Sequence, residues 1–160
     1  MNEALDRLAK EMGLADSRNE RLRLEFGYAC ALRVAHLLEE PAAMDCLFGL
    51  GQYLSGTGGQ ESFGALVAQA ANLASTHQGS KSIDGCGHAA VSATYAVANA
   101  LAGKACQAAE YAAYAIVYAQ GGSAAVAERE SFEPEFQWQV ACLSSMVNQK
   151  LGSTADPSGP

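Results

Sequence analysis

The chain has 160 residues, a charged fraction of 17% and a hydrophobic fraction of 49%, of which alanine, about a fifth of all residues, is the largest part. That length suits one domain with a real core, and alanine's helix propensity, with no run of alternating β-branched residues, points to an all-α protein. A net charge of -7 argues against nucleic-acid or anionic-membrane binding, both of which need clustered Lys and Arg.

Residues 3–13 are predicted as a short amphipathic helix, with Leu5, Leu8 and Met12 on one side and Asp6, Arg7, Lys10 and Glu11 on the other. Gly13 ends it. Ser17 and Glu20 fit a capping box, in which each side chain satisfies an orphaned backbone N–H. The helix they open is expected to run to Glu39 and to bury Leu22, Phe26, Ala29, Cys30, Val34 and Leu37. Pro41 suits the first turn of a third helix, with Met44, Leu47, Phe48, Leu50 and Leu54 as its core. Residues 55–59, Ser-Gly-Thr-Gly-Gly, read as a loop, and residues 61–76 as a fourth helix with Phe63, Leu66, Val67, Ala70 and Leu73 inward.

A polar run at 78–82 leads into residues 84–119, the segment around which the rest is expected to pack, with Asp84 as its N-cap. Ala90, Ala93, Val97 and Ala100 recur at the period of one helix face, and Val91, Tyr95 and Ala98 add a second apolar stripe. Gly103 interrupts the pattern, which restarts through Ala105, Ala108, Ala112, Ile116 and Ala119. A tight helical hairpin is the expectation; the alternative, one unbroken helix, would run to roughly 50 Å. Residues 121–123 make a break, and a short helical piece through Val126 leads to an acidic segment at 128–135. Pro134 opens a last helix carrying Phe136, Val140, Leu143, Met146 and Val147. Residues 1–151 are thus expected as a single domain, a bundle of about six to seven helices built from hairpins, and 152–160 as a disordered tail.

Cys30, Cys46, Cys86, Cys106 and Cys142 are odd in number and form no CxxC pair, so they read as buried free thiols of a cytoplasmic protein. The N-terminus carries acids and no long apolar run, so no signal peptide is expected, and no segment has the ~18 apolar residues of a membrane span.

His36, His77, His88 and Cys86 are the metal suspects, but Cys86 and His88, two residues apart, project from different parts of a helix, so no metal and no cofactor are expected. No Glu precedes a His by three residues, which excludes the carboxylate-bridged di-iron bundle. A Cys–His dyad has no local signature, and Gly56-Thr57-Gly58-Gly59 lacks the Lys-Ser/Thr of a phosphate loop. Tyr111, Tyr114 and Tyr118 form one stripe, expected in the core with hydroxyls at its rim or at a partner interface. Two acidic groups remain: Glu39, Glu40 and Asp45, and Glu128, Glu130, Glu133 and Glu135 around the lone Arg129. No Lys or Arg lies between Arg33 and Lys81. These acids read either as solvated helix ends, favoured by the backbone dipole, or as a surface that meets a basic protein.

The hairpin from Gly87 to Ala119, the Glu135-Phe136-Gln137-Trp138-Gln139 run of the last helix and the earlier Cys30-Ala31-x-Arg33-Val34-x-His36-Leu37 resemble a family of helical immunity proteins of bacterial polymorphic toxin systems. The resemblance covers residues 21–143 and places Gly87, His88, Trp138 and Gln139 at recurring family positions, with Trp138 as a large packing residue and His88 as its polar neighbour. It implies a non-catalytic protein that binds a cognate toxin. Two other readings are a metal- or small-molecule-dependent enzyme with a pocket at His88, Cys86 and His36, and a self-associating module such as a homodimer.

Overall fold

The computed structural model describes residues 1–77 and 86–154. Among them are seven α-helices and no strand: α1 (Glu3–Glu11), α2 (Glu20–Leu32), α3 (Pro41–Leu54), α4 (Gln60–Thr76), α5 (Cys86–Leu101), α6 (Ala105–Val126) and α7 (Glu133–Thr154). Three 3-10 turns, Ser17–Asn19, Ala35–Leu37 and Arg129–Phe132, join them. The protein is an all-α bundle, as its composition requires.

The α5–α6 hairpin is its centre. Gly103 sits at φ +71°, a left-handed conformation that costs a residue with a Cβ more than a glycine. Around it Gly103 N donates to Ala100 O (3.1 Å) and Lys104 N to Asn99 O (2.9 Å), the paired bonds that close a helix C-terminus before the chain reverses. Ala93, Ala96 and Ala100 of α5 and Ala108, Ala109, Ala112 and Ala115 of α6 are wholly buried. Their methyl groups keep the helices thin enough for neighbours to approach on several sides. A Cβ built on Gly27 of α2 would lie 3.1 Å from the Ala100 Cα, so α2 crosses α5 almost backbone to backbone. On one side of the hairpin Leu5, Leu22, Phe26, Cys30, Val34 and Leu143 bring α1, α2 and α7 into one core. Cys46, Leu47, Leu50, Ala70 and Ala74 pack α3 and α4 against the other.

Several local expectations are corrected. Asp16, not Ser17, caps the 3-10 turn ahead of α2, its carboxylate accepting from the Arg18 N–H (3.0 Å). The second helix ends at Leu32 rather than Glu39, because the chain must already turn back to enter α3 through extended backbone at Leu38 and Glu40. Val34 stays fully buried while outside the helix, which is why the apolar period persists past the helix end. The buried face of α3 is Ala43, Cys46, Leu47 and Leu50, whereas Met44 and Phe48, expected inside, are 42% and 66% exposed. The break expected at 121–123 lies at Gly122, whose φ of 62° and ψ of -154° interrupt α6. Residues 152–154, expected in the tail, continue α7. Asp84, the polar run at 78–82 and the remaining tail lie outside the described residues. No helix of the described residues is long and apolar enough to cross a membrane.

Candidate functional site

Arg33 is the first residue beyond α2, and Glu135 stands in the first turn of α7, where the helix dipole favours a carboxylate. The two are 102 residues apart in sequence and meet as a bidentate pair, Arg33 Nε donating to Oε1 (2.9 Å) and Nη2 to Oε2 (2.6 Å). Glu135 is 4% exposed. This corrects its placement among the surface acids: the side chain faces inward and is spent on Arg33. That hydrogen-bonded pairing raises the arginine's pKa above its ordinary value. Helical spacing puts Trp138 and Gln139, three and four residues on, over the same face of α7. The Arg33 guanidinium lies 4.0 Å from the centre of the Trp138 ring, a cation–π stack that fixes its second face.

Gln139, fully buried, donates through Nε2 to Ala109 O of α6 (2.8 Å) and accepts at Oε1 from Asn2 Nδ2 (3.1 Å). Asn2 in turn caps α1, its Oδ1 accepting from Leu5 N (3.1 Å). Each buried side chain in this run of contacts, Glu135, Gln139 and Asn2, has a partner, so it ties α1, α2, α6 and α7 together. Nearby, burial pushes the Cys30 thiol well above its usual range and also raises Cys106 and Cys142, which makes all three poor nucleophiles at neutral pH.

The other predicted acids are outside. Glu39 and Glu40 are exposed on the approach to α3, and Asp45 is exposed on its second turn. Glu128, Glu130 and Glu133 are exposed at the other acidic segment, where Glu133 accepts from Gln137 Nε2 (3.0 Å). Arg129, the local cation, points to Glu3 at 3.6 Å. Among the described residues none of these six carboxylates is in an ion pair.

His88 is exposed and stacks on Tyr118 with ring centres 5.1 Å apart; Arg33, not His88, covers Trp138. Gly87 beside it is buried. The tyrosine stripe is half-buried and stacked: Tyr111 on Tyr95 (5.0 Å) and Tyr114 edge-on to Phe132 (5.2 Å). His36 is exposed on the turn after α2, and His77 is half-buried at the end of α4. The three histidines therefore stand on separate elements. Among the described residues no group of three or more His, Cys, Asp or Glu side chains is placed to hold a metal, and the Cys86 side chain lies outside that set. A cleft of about 710 Å³ opens between α2, the end of α3 and α7, away from His88, lined by Leu22, Tyr28, Leu32, Gly51, Leu54 and Met146.

Sequence reasoning gives Arg33 no role beyond its place in the family resemblance and does not single out Asn2. The signal for Arg33 was present, since it is a lone charge between Cys30 and Val34 in an otherwise apolar stretch, but nothing local names its partner.

These features define an all-α bundle with one internal polar tie and two exposed acidic groups. No known family profile matches the chain, and no curated protein or solved structure is significantly similar to it.

Proposed function

We propose that this chain is a non-catalytic, cytoplasmic protein-binding module that neutralises a cognate bacterial toxin by covering a basic surface on it. The observation that carries the reading is the pair of exposed acidic groups, Glu39, Glu40 and Asp45 on one element and Glu128, Glu130 and Glu133 on another, none of them in an ion pair among the described residues. Carboxylates left without counter-charges raise the local negative potential, which speeds encounter with a basic partner and disfavours acidic ones. The resemblance of the α5–α6 hairpin and of the Glu135 to Gln139 run to helical immunity proteins supports the same reading. Trp138 and Gln139 then serve the fold rather than the interface, since both are committed to contacts within the bundle.

The test is neutralisation by charge-reversed variants. A cognate toxin encoded beside this gene is expected to arrest growth alone and to be silenced by the wild-type chain. Glu39→Lys with Glu40→Lys and Asp45→Lys, or Glu128→Lys with Glu130→Lys and Glu133→Lys, is expected to weaken binding at least tenfold in the set that forms the interface. Full protection by both sets would remove the acidic groups from the interface. Glu135 is left out, because reversing it would break the bundle instead.

A further inference from the structure

Five large apolar side chains are exposed among the described residues: Met1, Leu32, Met44, Phe48 and Leu151, at 75%, 47%, 42%, 66% and 63%. All but Met1 lie on helices that border the α2–α3–α7 cleft. Leu32 lines it, and Leu151 follows Lys150, which also lines it. On α3, Met44, Phe48, Gly51 and Ser55 follow one another at steps of four, three and four, so they share one face. Gly51 and Ser55 are cleft residues. Met44 and Phe48 therefore extend the cleft as a track along this face of α3, about 16 Å from Ser55 back to Met44. Gly51 keeps its floor low: the Tyr28 hydroxyl sits 2.6 Å from where a Cβ would stand.

The two ends of the track differ in charge. Arg21 Nη2 donates to Leu54 O (2.8 Å), which places the start of α2 beside the end of α3. There Arg21 is paired with Glu25 (2.8 Å) and Lys150 with Asn19 (2.6 Å), so the cations at this end are already engaged. At the other end Glu39, Glu40 and Asp45 have no ion-pair partner among the described residues.

We infer that this track is a docking groove for an amphipathic helix of another protein, with an apolar stripe at helical spacing and a cluster of lysine or arginine at the end that meets Glu39, Glu40 and Asp45. The inference rests on the protein-binding reading and names the partner's chemistry. Charge selects the occupant. A second copy of this chain would bring its own net charge of -7, and an anionic bilayer would be repelled by the three acids. Met44 and Phe48, one turn apart on α3, suit apolar anchors at successive turns of a helix, and the flexible Met side chain adapts to them.

The probe is a fluorescent peptide of about 18 residues with leucines on one helical face and lysines clustered at one end, compared with its glutamate counterpart and a scrambled leucine–lysine isomer. Binding to the full chain is read by anisotropy near physiological salt. The leucine–lysine helix is expected to bind, with the scrambled and glutamate peptides tenfold weaker or more. Phe48→Ser, and separately Glu40→Lys with Asp45→Lys, should each weaken it roughly tenfold or more. Glu128→Lys with Glu130→Lys should leave it within about twofold. These positions are all exposed, and an unchanged melting curve confirms that each variant is folded. Equal affinity for wild type and Phe48→Ser overturns the groove. So does a wild-type dimer in sedimentation that Phe48→Ser dissociates, because a second copy would then own the surface. The assay needs no toxin: neutralisation intact with no groove binding refutes this inference alone, and groove binding with no neutralisation refutes the toxin reading alone.

Discussion

α5 and α4 are both rich in alanine, yet one is the most enclosed helix of the bundle and the other is its edge. In α5, Ala89, Ala90, Ala93, Ala96, Ala98 and Ala100 are all buried, because α2, α4 and α6 pack on three sides of it. In α4 only Ala70 and Ala74 are buried, while Ala65, Ala68 and Ala71 face outward, because α4 is packed mainly by α3 and α5. A small side chain permits close approach but does not command it; what decides burial is whether a neighbour arrives. Stability should accordingly reside in α2, α5, α6 and α7, leaving the α3 surface free to carry exposed apolar and acidic side chains.

The largest effect is expected at the internal polar tie. Arg33→Ala leaves the Glu135 carboxylate buried without its partner and should cost about 3 kcal/mol in denaturant unfolding. Replacing both as Arg33→Met with Glu135→Leu should recover a large share of that loss, since no unpaired charge remains. Gly27→Leu, forced between α2 and the Ala100 backbone, should cost about 2 kcal/mol or more and lower the melting temperature correspondingly. Gly103→Ala meets open space, so only its left-handed backbone is penalised, at about 1 kcal/mol. Phe48→Ser on the exposed face of α3 should change stability by less than about 0.5 kcal/mol. If Phe48→Ser proves as costly as Gly27→Leu, the contrast between the enclosed hairpin and the α3 side is lost.

The smallest effect concerns acid. Hydrogen bonds from Arg18 hold the half-buried Asp16 at a pKa of about 2, below its ordinary 3.8. A depressed folded pKa means that the contribution is fully present above the ordinary value and disappears as pH falls toward about 2. Asp16→Asn should slightly flatten the loss of stability across that window, followed by unfolding at each pH.

The central hairpin was legible because its evidence is local: a repeat of three and four residues, and one glycine where the period resets. The break at Gly122 was legible for the same reason. The orientation of α3 was not, because Met44 and Phe48 outweigh Ala43 and Cys46 by size although the smaller pair is inside. A helix that packs on thin alanine helices can bury its small residues and display its large ones. Glu135 misled in the opposite way: four glutamates in a short stretch read as surface, while the arginine that takes one of them inside lies 102 residues away. Gln139 is equally non-local, satisfied by Ala109 O and Asn2. The acids at Glu39, Glu40 and Asp45 were legible as exposed, but their adjacency to an apolar track needed the turn of α3.

Growth of bacteria expressing the product of the gene beside this one, with and without this chain, decides whether the acidic surface works in neutralisation. The expected result is arrest by the neighbour alone, rescue by the wild-type chain, and loss of rescue with Glu39→Lys, Glu40→Lys and Asp45→Lys although the variant remains folded. A neighbour that is harmless by itself, or rescue as complete as by the wild type from both this variant and Glu128→Lys with Glu130→Lys and Glu133→Lys, would contradict it.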